Sequence, residues 1–192
     1  MKPLIPSFPA PHIFSTILAA GATLALAFGV AFTAKAQQGN SASVDAQREA
    51  LQKLSFLVGR WSGPVTIQRG PGEPLHLTQT ENVQYKLDGL VLLVEGQSTA
   101  ADGKVAFSAL ATISYDDASH TFRFRAYNDG HYLDTGLNVP GHGFSWGFTA
   151  GPAHIVNTMH LTDKGEWNEV TDVTMGDNPA HRSMEMTLRK EQ

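Results

Sequence analysis

From Gly59 to the C-terminus the chain alternates apolar and polar residues with a period of two. Runs of eight to eleven residues are separated by short breaks of turn chemistry. The breaks are Arg69-Gly70-Pro71-Gly72, Asp88-Gly89, Asp102-Gly103, Asp116-Asp117, Asn128-Asp129-Gly130, Pro140-Gly141, Gly151-Pro152, Asp163-Lys164-Gly165 and Gly176-Asp177-Asn178-Pro179. Nine breaks predict ten strands. Because every connection is short, successive strands are expected to pair as antiparallel neighbours in an up-and-down meander. Ten twisted strands drawn from one short chain either close on themselves or leave two long unpaired edges, and closure removes the edges. The expected fold is therefore all-β: an up-and-down antiparallel barrel of about ten strands, with a two-sheet sandwich as the alternative.

One helix precedes the strands. Leu51, Leu54 and Leu57 recur at helical spacing over Val44 to Leu57, with Asp45 and Glu49 early, where the helix dipole favours acids. Upstream, residues 37–43 are polar and read as a linker. Residues 1–36 have a different character: Lys2, then an apolar run from Ile13 to Phe32, then Ala34-Lys35-Ala36. A basic start, an apolar stretch and an A-x-A site make a secretory signal peptide, with cleavage expected between Ala36 and Gln37. The mature domain is then 44–192 plus its linker, with no stable membrane anchor, in the periplasm or secreted.

Composition narrows the chemistry. The chain contains no cysteine, which excludes a disulfide scaffold, thiolate metal sites, a cysteine nucleophile and a lipidated lipoprotein terminus. Cleavage would remove Lys2 and Lys35 and no acidic residue, leaving 12 basic side chains against 18 acidic ones. That sign, with no basic stripe interleaved with aromatics, argues against nucleic acid as a partner. The seven histidines after residue 36 form neither H-x-H nor H-E-x-x-H, and no G-x-S-x-G elbow or phosphate loop is present. Glu169 and Asp172 point to opposite faces of their strand. Glu95 and Glu185 are interior carboxylate candidates by strand parity, and a carboxylate inside an apolar barrel would have a raised pKa suited to acid or base work.

Strand faces nominate a binding wall. Phe144, Trp146 and Phe148 share one face, Val105, Phe107, Ala109, Ala111, Ile113 and Tyr115 another, and Met184, Met186 and Leu188 a third. Two arrangements fit this pattern: an apolar filled interior under a polar coat, or an interior with polar groups around a guest. Candidate ligand-binding residues are Phe107, Tyr115, Arg123, Arg125, Phe144, Trp146, Phe148 and Met186. Arg123 and Arg125 share one face; if inward they would hold an anion such as a fatty-acid-like carboxylate, and if outward they are solvated.

The stretch Leu54-Ser55-Phe56-Leu57-Val58-Gly59-Arg60-Trp61-Ser62-Gly63 resembles the Phe-Leu-x-Gly-x-Trp-x-Gly opening of a bacterial family of lipocalin-like (calycin) barrels. Met184-Glu185-Met186-Thr187-Leu188-Arg189-Lys190 is similar to that family's closing strand. The resemblance implies a calycin barrel in which Gly59 and Trp61 open the first strand. It also implies that Trp61 lies across the closed end beneath Arg189, a cation stacked on an indole. The same opening is similar to that of nitrobindins, ten-stranded haem barrels whose iron ligand is a His on the last strand. Here that position falls near Ser183, and His181, two residues upstream, is the weak haem-ligand candidate; no other metal or cofactor is implied. The sequence thus points to a barrel binding a small, largely apolar ligand. The alternatives are a haem-binding barrel or an enzyme using an interior His or carboxylate, and a structural or protein-binding barrel with a filled core.

Overall fold

A computed structural model describes the backbone of residues 33–192 and the side chains from residue 41 onward. Helix α1 spans Thr33–Gln52, followed by ten strands: β1 Gly59–Ile67, β2 Leu75–Lys86, β3 Val91–Thr99, β4 Val105–Asp116, β5 Thr121–Asn128, β6 His131–Leu137, β7 Gly143–Ala150, β8 Ala153–Leu161, β9 Trp167–Met175 and β10 His181–Lys190. The expected ten strands are all present and antiparallel. The helix begins earlier than expected and includes residues 37–43. The signal-peptide reading of residues 1–36 falls mostly outside the described residues. Among the described residues no helix is long and apolar enough to cross a membrane.

The apolar spacing Leu51, Leu54, Leu57 is met in two steps. The α-helix stops at Gln52, and a 3₁₀ turn over Ser55–Leu57 continues it, with Leu54 N–H bonding Leu51 C=O at 3.0 Å and Leu57 N–H bonding Leu54 C=O at 3.0 Å. All three leucines are fully buried. A helix end leaves carbonyls without partners. Here Tyr85 Oη donates to Leu51 C=O at 3.0 Å and Trp61 Nε1 donates to Leu57 C=O at 2.7 Å, tying the helix terminus to β2 and β1.

The strands form one sheet in the order β6-β5-β4-β3-β2-β1-β10-β9-β8-β7, and the first and last strands are neighbours. Trp61 faces Lys190 and Val65 faces Met186 across β1 and β10. The pairing lapses at Gly63 and Pro64, where proline has no N–H to offer. A Cβ on Gly63 would stand 2.1 Å from Thr187 C=O, so only glycine lets β10 approach here. The remaining seam lies between β6 and β7. It is held by the single bridge of Asn138 and Ser145, with N–H···O distances of 2.9 and 2.8 Å, and by Thr135 Oγ1 donating to Gly147 C=O at 3.0 Å. The barrel is nearly closed.

One end is sealed by the core. Trp61, Leu188, Val83, Leu92 and Ile113 are almost fully buried beside the helix-end leucines. Trp61 packs edge-on against Trp167 at 5.6 Å, and Trp167 packs edge-on against Phe144 at 6.0 Å. The cation over Trp61 is Lys190, its Nζ 5.2 Å from the ring centroid. Arg189, expected in that role, points outward and pairs with Glu166 at 2.9 Å. The swap follows from strand parity, since Lys190 and not Arg189 is the register partner of Trp61. Gly59, with φ +129°, leaves the space that the Lys190 stem occupies; a Cβ there would stand 2.7 Å from Lys190 Cε.

Candidate functional site

Above this seal the barrel is hollow. A cavity of about 730 Å³ is bounded by residues of β1 to β10. Its walls are the apolar faces read from alternation: Phe107, Ala109, Ala111 and Ile113 of β4, Phe124 and Ala126 of β5, Phe144, Trp146 and Phe148 of β7, and Met184 and Met186 of β10. Trp146 is the centre of an aromatic stack, parallel to Phe124 at 5.0 Å and to Phe148 at 6.2 Å. The interior therefore combines the two arrangements the sequence allowed: apolar faces point inward, yet they do not fill the space.

Five of the eight nominated binding residues line one cavity together with Phe124: Phe107, Phe144, Trp146, Phe148 and Met186. Three do not. Tyr115 lies on the same strand face but packs edge-on against Phe122 at 5.0 Å, away from the cavity lining. Arg123 and Arg125 are on the outer surface, where both pair with Asp134 of β6, Arg125 Nε at 2.7 Å. Of the two facings left open by the sequence the outward one holds, which removes both from the ligand-binding set, because Asp134 of the neighbouring strand supplies a carboxylate outside the wall. The parity candidates Glu95 and Glu185 are also outside: Glu95 accepts from Asn82 at 3.1 Å and Glu185 lies near Arg182.

The interior carboxylates are Glu81 and Glu169. On β2, Leu77, Gln79, Glu81 and Val83 all point inward while Thr78, Thr80 and Asn82 point out. Strict alternation thus carries two polar residues inside between two apolar ones. Glu81 faces Gly96 of β3 in register, and the missing side chain makes the niche that its carboxylate fills. Gln79 Nε2 donates to Glu81 Oε1 at 2.7 Å, and Ser98 Oγ donates to Gln79 Oε1. On β9, Trp167, Glu169 and Thr171 form the equivalent inward row. Trp167 Nε1 donates to Glu169 Oε2 at 2.7 Å, while Asn157 Nδ2 of β8 donates to Glu169 Oε1 at 2.8 Å and to Thr171 Oγ1 at 3.0 Å.

Both acids are raised by burial. Burial pushes the Glu81 carboxyl up to about 8, the charge of Glu169 adds to the rise, and the Gln79 hydrogen bond opposes it. Burial also raises Glu169, against the opposing hydrogen bonds from Trp167 and Asn157. Glu81 consequently carries the proton at neutral pH. No Lys or Arg forms an ion pair with either acid among the described residues. One interior polar atom is left over: Asn157 is 2% exposed, and its Oδ1 has no hydrogen-bond partner.

The haem candidate does not reach the lumen. His181 is exposed at the first residue of β10. Ser183, the extra residue of a bulge between Arg182 and Met184, is in the lining, with its Oγ donating to Thr171 C=O at 3.1 Å. The imidazole among the lining residues belongs to His131, at the β5–β6 turn beside Asn128 and Tyr132, with Arg69 also in the lining. These residues do not fit a haem held from the last strand. Among the described residues no group of three or more His, Asp or Glu could hold a metal ion.

No family model matches the sequence. No curated protein matches it either. Among solved structures, the chain is similar to the crystal structure of Rv2717c from M. tuberculosis, with a TM-score of 0.57 and 15% sequence identity, covering 74% of this chain and 98% of that one. At that identity the likeness concerns the fold, a ten-stranded barrel.

Proposed function

We propose that this chain is an exported lipocalin-like barrel, cleaved after Ala36, that binds a small, largely apolar molecule in its lumen. The observation that carries this reading is the cavity itself: about 730 Å³, walled by Phe107, Phe124, Phe144, Trp146 and Phe148, with polar groups at the Glu81–Glu169 cluster and at Arg69, Asn128 and His131. Ligand sites are typically concave, mostly apolar and several hundred Å³, with a few polar anchors that orient the guest. A filled structural core would not leave this volume, because protein interiors pack to crystal-like density. Native mass spectrometry of freshly purified mature protein, with titration by the neutral apolar fluorophore N-phenyl-1-naphthylamine, tests the reading. Saturable one-to-one binding is expected; absence of both a retained guest and probe binding would return the barrel to a structural role.

A second reading, catalysis in the same lumen, has one observation on its side. Glu81 and Glu169 are two carboxyls in one lumen, both raised by burial, Glu81 to about 8, into the range suited to acid or base work. It is distinguished by whether a bound guest is released chemically unchanged.

A further inference from the structure

One cation at the entrance of the lumen is left without a partner among the described residues. Resting on the lumen-binding reading, we infer that the guest is an amphiphile with a carboxylate-like anionic head, held by Arg69 at the open rim with its apolar body inside the barrel.

Strand direction locates the rim. β1 leaves the sealed end at Trp61, and β5 runs the same way, so the turns that follow them, residues 68–74 and 129–130, lie at the open end. Arg69 and His131 belong to these two turns. Both line the cavity and both are exposed, so the lumen meets solvent between them. Parity makes each a continuation of the wall. On β1 the inward residues Val65 and Ile67 are followed by Arg69, and on β6 inward Leu133 is followed towards the rim by His131. Each row is apolar inside and carries a group capable of positive charge at its outer end. The turn that presents Arg69 is braced on both sides of it. Gln68 N–H donates to Ser183 C=O of β10 at 2.8 Å, and Gln68 Nε2 donates to Gly70 C=O and, at 2.8 Å, to Gly72 C=O.

The missing partner is what singles Arg69 out. The chain has seven arginines. Arg48, Arg60, Arg123, Arg125, Arg182 and Arg189 each pair with a carboxylate, and Arg69, the one that lines the lumen, pairs with none among the described residues. Neither Glu73 in its own turn nor the lumen acids Glu81 and Glu169 form an ion pair with it. Its five N–H donors, set in a planar fork, match the two oxygens of a carboxylate. An apolar lumen with such a group at its entrance sorts guests by their heads. A carboxylate gains a charge-assisted pair, a hydroxyl gains an ordinary hydrogen bond, and an ammonium is repelled. Because the rim is exposed, the head keeps water on its outer side, and no charge has to be buried.

Three probes that share a body and differ in the head test this: decanoate, decan-1-ol and decylamine. In calorimetric titrations at neutral pH and low salt, decanoate is expected to bind about fivefold more tightly than decan-1-ol, the upper end of what an exposed ion pair supplies, with decylamine weakest. Added salt should narrow that gap. Arg69→Gln should weaken decanoate about fivefold and leave decan-1-ol and N-phenyl-1-naphthylamine unchanged. Arg123→Gln, which alters a guanidinium outside the wall, should leave every probe unchanged. Decan-1-ol or decylamine binding as tightly as decanoate overturns the anion assignment. So does an Arg69→Gln protein that binds decanoate like wild type, or one that loses all the probes alike. In each of these cases saturable binding of N-phenyl-1-naphthylamine to wild type keeps the lumen reading. If wild type binds neither that fluorophore nor any of the three amphiphiles, both fall.

Discussion

The carboxylate of Glu81 lies directly against the backbone of Gly96, its register partner across β2 and β3, with Oε1 and Oε2 at 2.8 and 2.9 Å from where a Cβ would stand. No other residue type fits there without displacing the acid. Gly96→Ala is therefore expected to destabilise the protein by about 1–3 kcal/mol, and to weaken binding of any guest held at the cluster. Because the cost arises from one pair, Gly96→Ala combined with Glu81→Ala should cost less than the two changes summed. Chemical denaturation of the four proteins of the cycle measures this.

Burial of Glu81 also sets a pH dependence. The folded chain holds a proton on this carboxyl that the unfolded chain loses near 4.5, so folded protein binds the extra proton until pH passes about 8. Stability should thus fall as pH rises between those values, by up to about 1.4 kcal/mol per unit from this group, and level off above. Glu169, raised in the same direction, adds to the slope. Glu81→Gln should flatten the profile and make the protein more stable than wild type at pH 8. Denaturant midpoints from pH 5 to 9 check the sign.

At the sealed end, the load falls on Trp61. It is 2% exposed, packed against Trp167 and bonded to Leu57 C=O. Trp61→Ala should cost about 3–5 kcal/mol. Lys190→Ala, which removes the cation over the ring, should cost about 0.5–1 kcal/mol, and Arg189→Ala less than about 0.5 kcal/mol. Thermal melts that ranked Arg189 above Lys190 would restore the pairing expected from the lipocalin-like motif.

The seam between β6 and β7 is the weakest part of the wall, with one bridge where other neighbours form full ladders. Amides in β6 and β7 that face the seam should exchange hydrogen fastest among the strands, and Thr135→Val should speed them further by removing the bond to Gly147. Amide exchange followed by NMR reads this residue by residue.

The strand count, the antiparallel order and the pairing of β1 with β10 were legible because turn residues and period-two alternation are local signals. The same alternation placed Phe107, Phe144, Trp146, Phe148 and Met186 on faces that proved to share a cavity. It could not say which side of the wall a polar row occupies: Arg123 and Arg125 depend on Asp134, a residue on another strand. Glu81 was within reach of sequence reasoning, since Leu77, Gln79, Glu81 and Val83 alternate with Thr78, Thr80 and Asn82, and a row bounded by apolar residues carries its polar members inside. Gly96 beside it was not, because only the register of β2 against β3 brings the two together. His181 failed because it stands exposed at the first residue of β10, opposite Val173 and outside the lining, which alternation alone does not show.

The central claim is that the barrel encloses room for an apolar guest. Ala126 lines the cavity beside Phe124, and Ala126→Trp would fill that space while leaving the outer wall intact. Titration with N-phenyl-1-naphthylamine, followed by fluorescence, should give saturable one-to-one binding to wild type and at least about tenfold weaker binding to Ala126→Trp, with the far-ultraviolet circular dichroism of the two proteins the same. Arg123→Ala and Arg125→Ala should bind like wild type. Equal binding to wild type and the filled variant, or none to either, would contradict the account.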